Sequence, residues 1–119
     1  IVAAFLGGGF GASLRFVIMY LFAPRYSFPV ITFGINIFAC LIMGFLCAIF
    51  IDKTNFSEPT KIIFTVGFCG GFSTFTALSM ELLQMIETQQ ILNAIIYVVI
   101  TVFVGLIAAW TGVNIAKLL

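Results

Sequence analysis

Apolar residues fill this chain in four long blocks, separated by three short polar interruptions. About 20 consecutive apolar residues carry an α-helix across the hydrocarbon core of a bilayer. Four segments reach that length: 1–22, 29–51, 59–86 and 91–116. The first is broken only by Arg15, and the second contains no charge. The interruptions are APRYSFP, with Pro24, Arg25 and Pro29 marking a turn, then DKTNFSEPTK, then ETQQ. Lys117 closes the fourth block. Short loops make neighbouring helices antiparallel and bring both termini to one side. The expected fold is an all-α membrane protein, one domain over residues 1–119, with four transmembrane helices.

Composition agrees. The chain is 63% hydrophobic and 8% charged, with a mean hydropathy of +1.29, whereas a soluble domain carries about 25% charged residues. A net charge of +1 offers no basic patch for nucleic acid. There is no histidine, no paired carboxylates and no phosphate-binding loop, so the pattern is not that of an enzyme. Cys40, Cys47 and Cys69 lie in apolar runs without metal-ligand spacing and read as small buried hydrophobes. The first apolar run is too long for a signal peptide and lacks its cleavage pattern. With both termini cytoplasmic, Lys53, Lys61 and Lys117 lie inside and Arg25 outside. That is a weak bias under the positive-inside rule, compatible with insertion either way round.

The polar residues inside the spans carry the chemistry. Gly8, Gly11 and Arg15 share a helix face, and Gly7 with Gly11 forms a GxxxG pair suited to close helix packing. Arg15 either snorkels to the interface or lines a wet cavity. Thr32 and Asn36 lie four apart on one face, and the Asn36 amide must find an interhelical partner or a ligand. In the fourth span Asn93, Tyr97 and Thr101 recur every four residues, with Gly105 continuing the stripe. Gly105 with Ala109, and Ala108 with Gly112, permit tight packing.

The third span contains GFCGGFSTF, residues 67–75. Glycine costs a helix interior about 1 kcal/mol relative to alanine, and two adjacent glycines followed by Ser73 and Thr74 predict a non-helical turn rather than a simple kink. Unwound backbone at membrane depth survives only in protein or at a cavity, where its groups can hold an ion. The embedded charge is the Arg15 cation, Glu81 and Glu87 fall toward the end of span three, and Asn36, Thr76, Tyr97 and Thr101 are donors. Donors solvate anions. The edge of a phenylalanine ring carries partial positive charge, and Phe75 adjoins the expected turn.

These segments resemble the Fluc/CrcB family of fluoride channels over nearly the whole chain. GGGFGASLRF is similar to the family's first helix, TFGINIFACLIMG to its second, with a central Asn, and GFCGGFSTFTALSMEL to its third-helix signature. The resemblance implies four helices with a broken third, two subunits in an antiparallel dual-topology dimer, and passive, selective conduction of fluoride across the plasma membrane that lowers its cytoplasmic level. It implies a structural sodium ion held by the backbone carbonyls of Gly70 and Ser73. It assigns Asn36, Phe75, Thr76, Leu78, Tyr97 and Thr101 to the fluoride pore, Arg15 to a vestibule, and Glu81 to the acid that closes the motif. Four positions depart from the family pattern: Leu78 replaces a second pore phenylalanine, Ala77 and Ser73 replace threonines, and Ile31 replaces a glycine. Leu78 leaves open a homodimer or a heterodimer with a diverged partner. A small multidrug exporter would need a membrane-embedded carboxylate in span one, where this chain has Arg15; a purely structural membrane subunit is the other rival.

Overall fold

The computed structural model describes residues 1–53 and 55–119, and among them it is helical, with no strands. Helix α1 spans Val2–Phe22 and α2 spans Phe28–Asp52, with Pro29 in the first turn of α2, where its missing N–H costs nothing. The third span runs Glu58–Glu87 and is composite. It opens with α3 (Glu58–Ile62), capped by the Ser57 side chain, which accepts from the Thr60 N–H. A π-helical turn, Ile63–Cys69, follows, and then the short α4 (Gly70–Phe72). Ser73 (ψ 158°) and Thr74 (φ −149°) are extended, and α5 (Phe75–Glu87) resumes the helix. Helix α6 spans Ile91–Leu118. Four helical segments are thus long and apolar enough to cross a membrane. Outward residues such as Phe5, Phe10, Phe103, Leu106 and Trp110 are exposed and apolar, as a lipid-facing surface requires.

The position of the extended pair corrects the expectation drawn from the glycines. Helical geometry passes through Gly70 and Gly71 and stops at Phe72. The residues that leave the helix are the hydroxyl pair, whose side chains bond nearby backbone: Ser73 Oγ donates to the Cys69 carbonyl (2.8 Å), and Thr74 Oγ1 caps α5 by accepting from the Ala77 N–H (3.3 Å). The glycines serve contact instead. A Cβ on Gly71 would lie 2.9 Å from the Cα of Gly8, and one on Gly67 2.8 Å from the Cα of Gly7. A Cβ on Gly11 would lie 2.9 Å from the Phe72 nitrogen. Helix α1 therefore rests backbone to backbone on the π turn and α4, the approach small residues permit in a membrane.

Helices α2 and α6 make the second close contact. Gly44 faces the backbone of Ala109, and Gly112 faces the Phe45 nitrogen, 2.8 Å from where a Cβ would stand. Gly105 meets the Cys40 sulfur at ordinary contact distance. Ile31, Ile35 and Ala39 of α2 form the core with Phe72, which is 1% exposed. Phe72 immediately precedes the extended pair, so the core anchors the chain at the point where it leaves the helix. Of the cysteines, Cys69 is buried, Cys40 half-buried and Cys47 exposed, so the expectation of three buried thiols fails at Cys47.

Candidate functional site

Extended backbone in the middle of a membrane span leaves peptide groups without helical partners, and each costs free energy until it is paired. Asn36 supplies two pairings at once. Its Oδ1 accepts from the Thr74 N–H at 2.8 Å, and its Nδ2 donates to the Thr74 carbonyl at 3.3 Å. The Thr74 N–H is the donor that would have closed a helical bond on the Gly70 carbonyl. By taking it, Asn36 holds the chain extended and leaves that carbonyl free. The two readings of Asn36 thus meet: the amide makes an interhelical bond, and one N–H remains for a ligand, since a side-chain amide carries two.

Arg15 reaches the same place from α1. Its Nη1 donates to the Ser73 carbonyl at 3.4 Å, a long bond, and the side chain lines a groove of about 430 Å³ with Ala12, Phe16, Thr74, Thr76 and Met80. The guanidinium thus lies in a groove beside the extended pair.

Glu81 sits one layer along. Its Oε1 accepts from the Thr32 hydroxyl at 2.6 Å and its Oε2 from the Tyr97 hydroxyl at 2.7 Å. Thr32 is fully buried. The carboxylate thus joins α2, α5 and α6, and both bonds are charge-assisted and short. Sequence reasoning placed Glu81 toward the end of span three and did not identify these partners. The signal was present: an acid within a span needs donors, and Thr32 and Tyr97 are hydroxyls on the two flanking helices.

The other expected site residues divide. Phe75 is 81% exposed at the start of α5, and Thr76 is exposed beside it. Leu78 is 7% exposed and faces the chain's own helices. Thr101 donates its hydroxyl proton to the Tyr97 carbonyl of its own helix at 2.7 Å. Asn93 is exposed and bonds Gln90, so the polar stripe of α6 does not continue to that end. Tyr97 and Thr101 consequently direct their hydroxyl protons within the chain. Gly70 is exposed, with open space where a Cβ would point. Among the described residues no cluster of acidic, histidine or cysteine side chains is arranged to hold a metal.

The arrangement offers amide, hydroxyl and guanidinium donors beside freed carbonyls. A family model described as "CrcB-like protein, Camphor Resistance (CrcB)" matches residues 2–113. A protein of Flavobacterium psychrophilum named "Fluoride-specific ion channel FluC" is 42% identical over 116 residues, covering 94% of this chain and 92% of the relative. Proteins with the same name from Azobacteroides pseudotrichonymphae (36% identical, 90% and 87% covered) and Helicobacter pylori strain J99 (36% identical, 96% and 90% covered) are similar throughout.

Proposed function

Because this chain belongs to the CrcB family, whose similar members are named fluoride-specific ion channels, we infer that it is the subunit of a passive, selective fluoride channel in the plasma membrane, lowering cytoplasmic fluoride. It is a multi-pass membrane protein, not an enzyme. The observation that carries the reading is the bidentate hold of Asn36 on Thr74, because it maintains unwound backbone and a free donor at membrane depth. Fluoride is small and strongly hydrated, so a path for it must replace water with donors. Arg15 and the exposed Thr76 hydroxyl supply them in one groove beside the extended pair, and Asn36 supplies its free N–H at Thr74. Phe75 adds a ring whose edge favours an anion.

The broken third helix is, in this reading, the centre of a dimer formed with a second copy in antiparallel orientation. One chain leaves Phe75 and Gly70 facing outward, and Gly34 on α2 likewise has open space where a Cβ would point. A second subunit would cover them. The freed carbonyls of Gly70 and Ser73 are hard oxygen donors of the kind alkali cations take. Two from each chain would give four around a sodium ion, which would supply a fixed positive charge at the dimer centre. Arg15 already occupies one lone pair of the Ser73 carbonyl, and a carbonyl oxygen has two.

Fluoride efflux from liposomes containing this chain alone tests the reading, with Phe75→Ile as control. Rapid efflux abolished by the substitution is expected. Folded protein that conducts nothing would overturn the self-sufficient channel and point to a partner of different sequence that supplies the ring missing at Leu78.

A further inference from the structure

The groove at Arg15 does not end there. A second groove, also about 430 Å³, shares Met19, Ala77 and Met80 with it and continues along α5 past Glu81 and Gln84 to Glu87. The two form one trough between α1 and α5. The Arg15 guanidinium lies at its deep end, two methionines at its middle and the exposed Glu87 carboxylate at its mouth. We propose that fluoride passes along this trough, and that Glu87 limits how fast it does so by repelling the anion at the mouth.

The proposal rests on the fluoride-channel reading. Its electrostatics separate the groups by place. Glu81 has both carboxylate oxygens bonded to hydroxyls, whereas no bond is made by the Glu87 side chain among the described residues. Arg25, in the loop after α1, is the other charge at this end and does not line the trough. The deep end is already attractive through Arg15, so entry is the step a mouth charge controls. From Ala77 to Glu87 the helix rises roughly 15 Å. At 10 mM salt the Debye length is about 30 Å, so Glu87 acts along the whole trough, and at 1 M it is about 3 Å, so the charge is screened. A unit charge roughly 7–10 Å from a passing anion in water changes its local concentration about two- to three-fold.

The test is fluoride efflux from liposomes at ionic strengths set with an impermeant salt. At low salt, Glu87→Gln is expected to conduct about two- to three-fold faster than the parent and Glu87→Lys about four- to seven-fold faster. Both differences should vanish at 1 M. Met80 is 61% exposed, so Met80→Trp fits without disturbing the core, and it should slow efflux by filling the trough. Equal rates for the Glu87 variants and the parent at low salt would overturn the proposal, as would unchanged efflux in Met80→Trp. Absence of fluoride efflux in the parent protein would instead strike the channel reading itself.

Discussion

Replacing Asn36 with leucine removes both bonds that hold Thr74 and little else. The two side chains share the same heavy-atom branching and leucine is the bulkier, so no cavity opens and the deficit reports mainly the hydrogen bonds, with any strain from the extra bulk adding to it. Each backbone group stranded in a part-buried setting costs about 1–3 kcal/mol. The chain has one escape. The freed Thr74 N–H can turn back to the Gly70 carbonyl and continue the helix through Ser73, recovering one bond at the expense of the extended pair. The net loss is therefore about 2 kcal/mol rather than the full sum. For a domain of this length that lowers the thermal midpoint by about 8 °C. The functional loss is larger, because the same escape removes the freed carbonyl and the amide donor together, and fluoride efflux should fall by at least about tenfold. Thermal unfolding in detergent and efflux from liposomes are measured on the same preparation. Leucine at 36 with parental efflux and an unchanged midpoint would refute the view that this amide holds the chain open.

The remaining predictions concern neighbouring groups. Thr32→Val and Tyr97→Phe each take one donor from Glu81, and each should destabilise by about 1–3 kcal/mol. Because both bonds end on one carboxylate, the double variant should depart from additivity by more than about 0.5 kcal/mol in unfolding experiments, and additive losses would show that the two bonds act independently. Gly71→Ala places a methyl group against the Gly8 backbone, where no flexible side chain can yield. It should lower the thermal midpoint and reduce efflux together, whereas Gly9→Ala, with open space around it inside α1, should leave efflux unchanged and raise the midpoint slightly. Gln89 adopts a left-handed conformation (φ 61°) in the turn before α6, so Gln89→Gly should stabilise by about 0.5–1 kcal/mol with efflux unchanged.

Much of this architecture was legible in residue patterns because the bilayer restricts the choices. Apolar length fixed the four spans, and the proline and charge placement fixed the turns to within a few residues. Arg15 and Asn36 stood out because a polar group in hydrocarbon must answer to something. The turn in the third span was expected from its glycines, yet Gly70 and Gly71 stay helical and the neighbouring Ser73 and Thr74 are the residues that leave the helix. Glycine propensity measured in water overstates the cost where a neighbouring helix needs a bare backbone, and Gly8 against Gly71 is such a place. The Thr32–Glu81–Tyr97 network was missed for a related reason. It joins three helices, and spacing along one chain does not reveal which residues meet at the same height. Leu78 shows what a motif leaves out: correspondence gives a position its counterpart, and only the packing shows that this side chain is 7% exposed within its own chain.

The π turn at Ile63–Cys69 gives the third span a measure of slack. Its bonds reach one residue further than those of an α-helix, so each π turn accommodates one more residue in about the same rise. A shortened chain lacking one residue of this turn would still connect the loop before Glu58 to Ser73 as ordinary α-helix, with both ends in place. A deletion of the same size in α5 would swing Glu81 by about 100° away from Thr32 and Tyr97. Length variation among natural relatives should therefore collect ahead of Gly70 and be scarce between Phe75 and Glu81, so that this one membrane helix has a forgiving half and an unforgiving half.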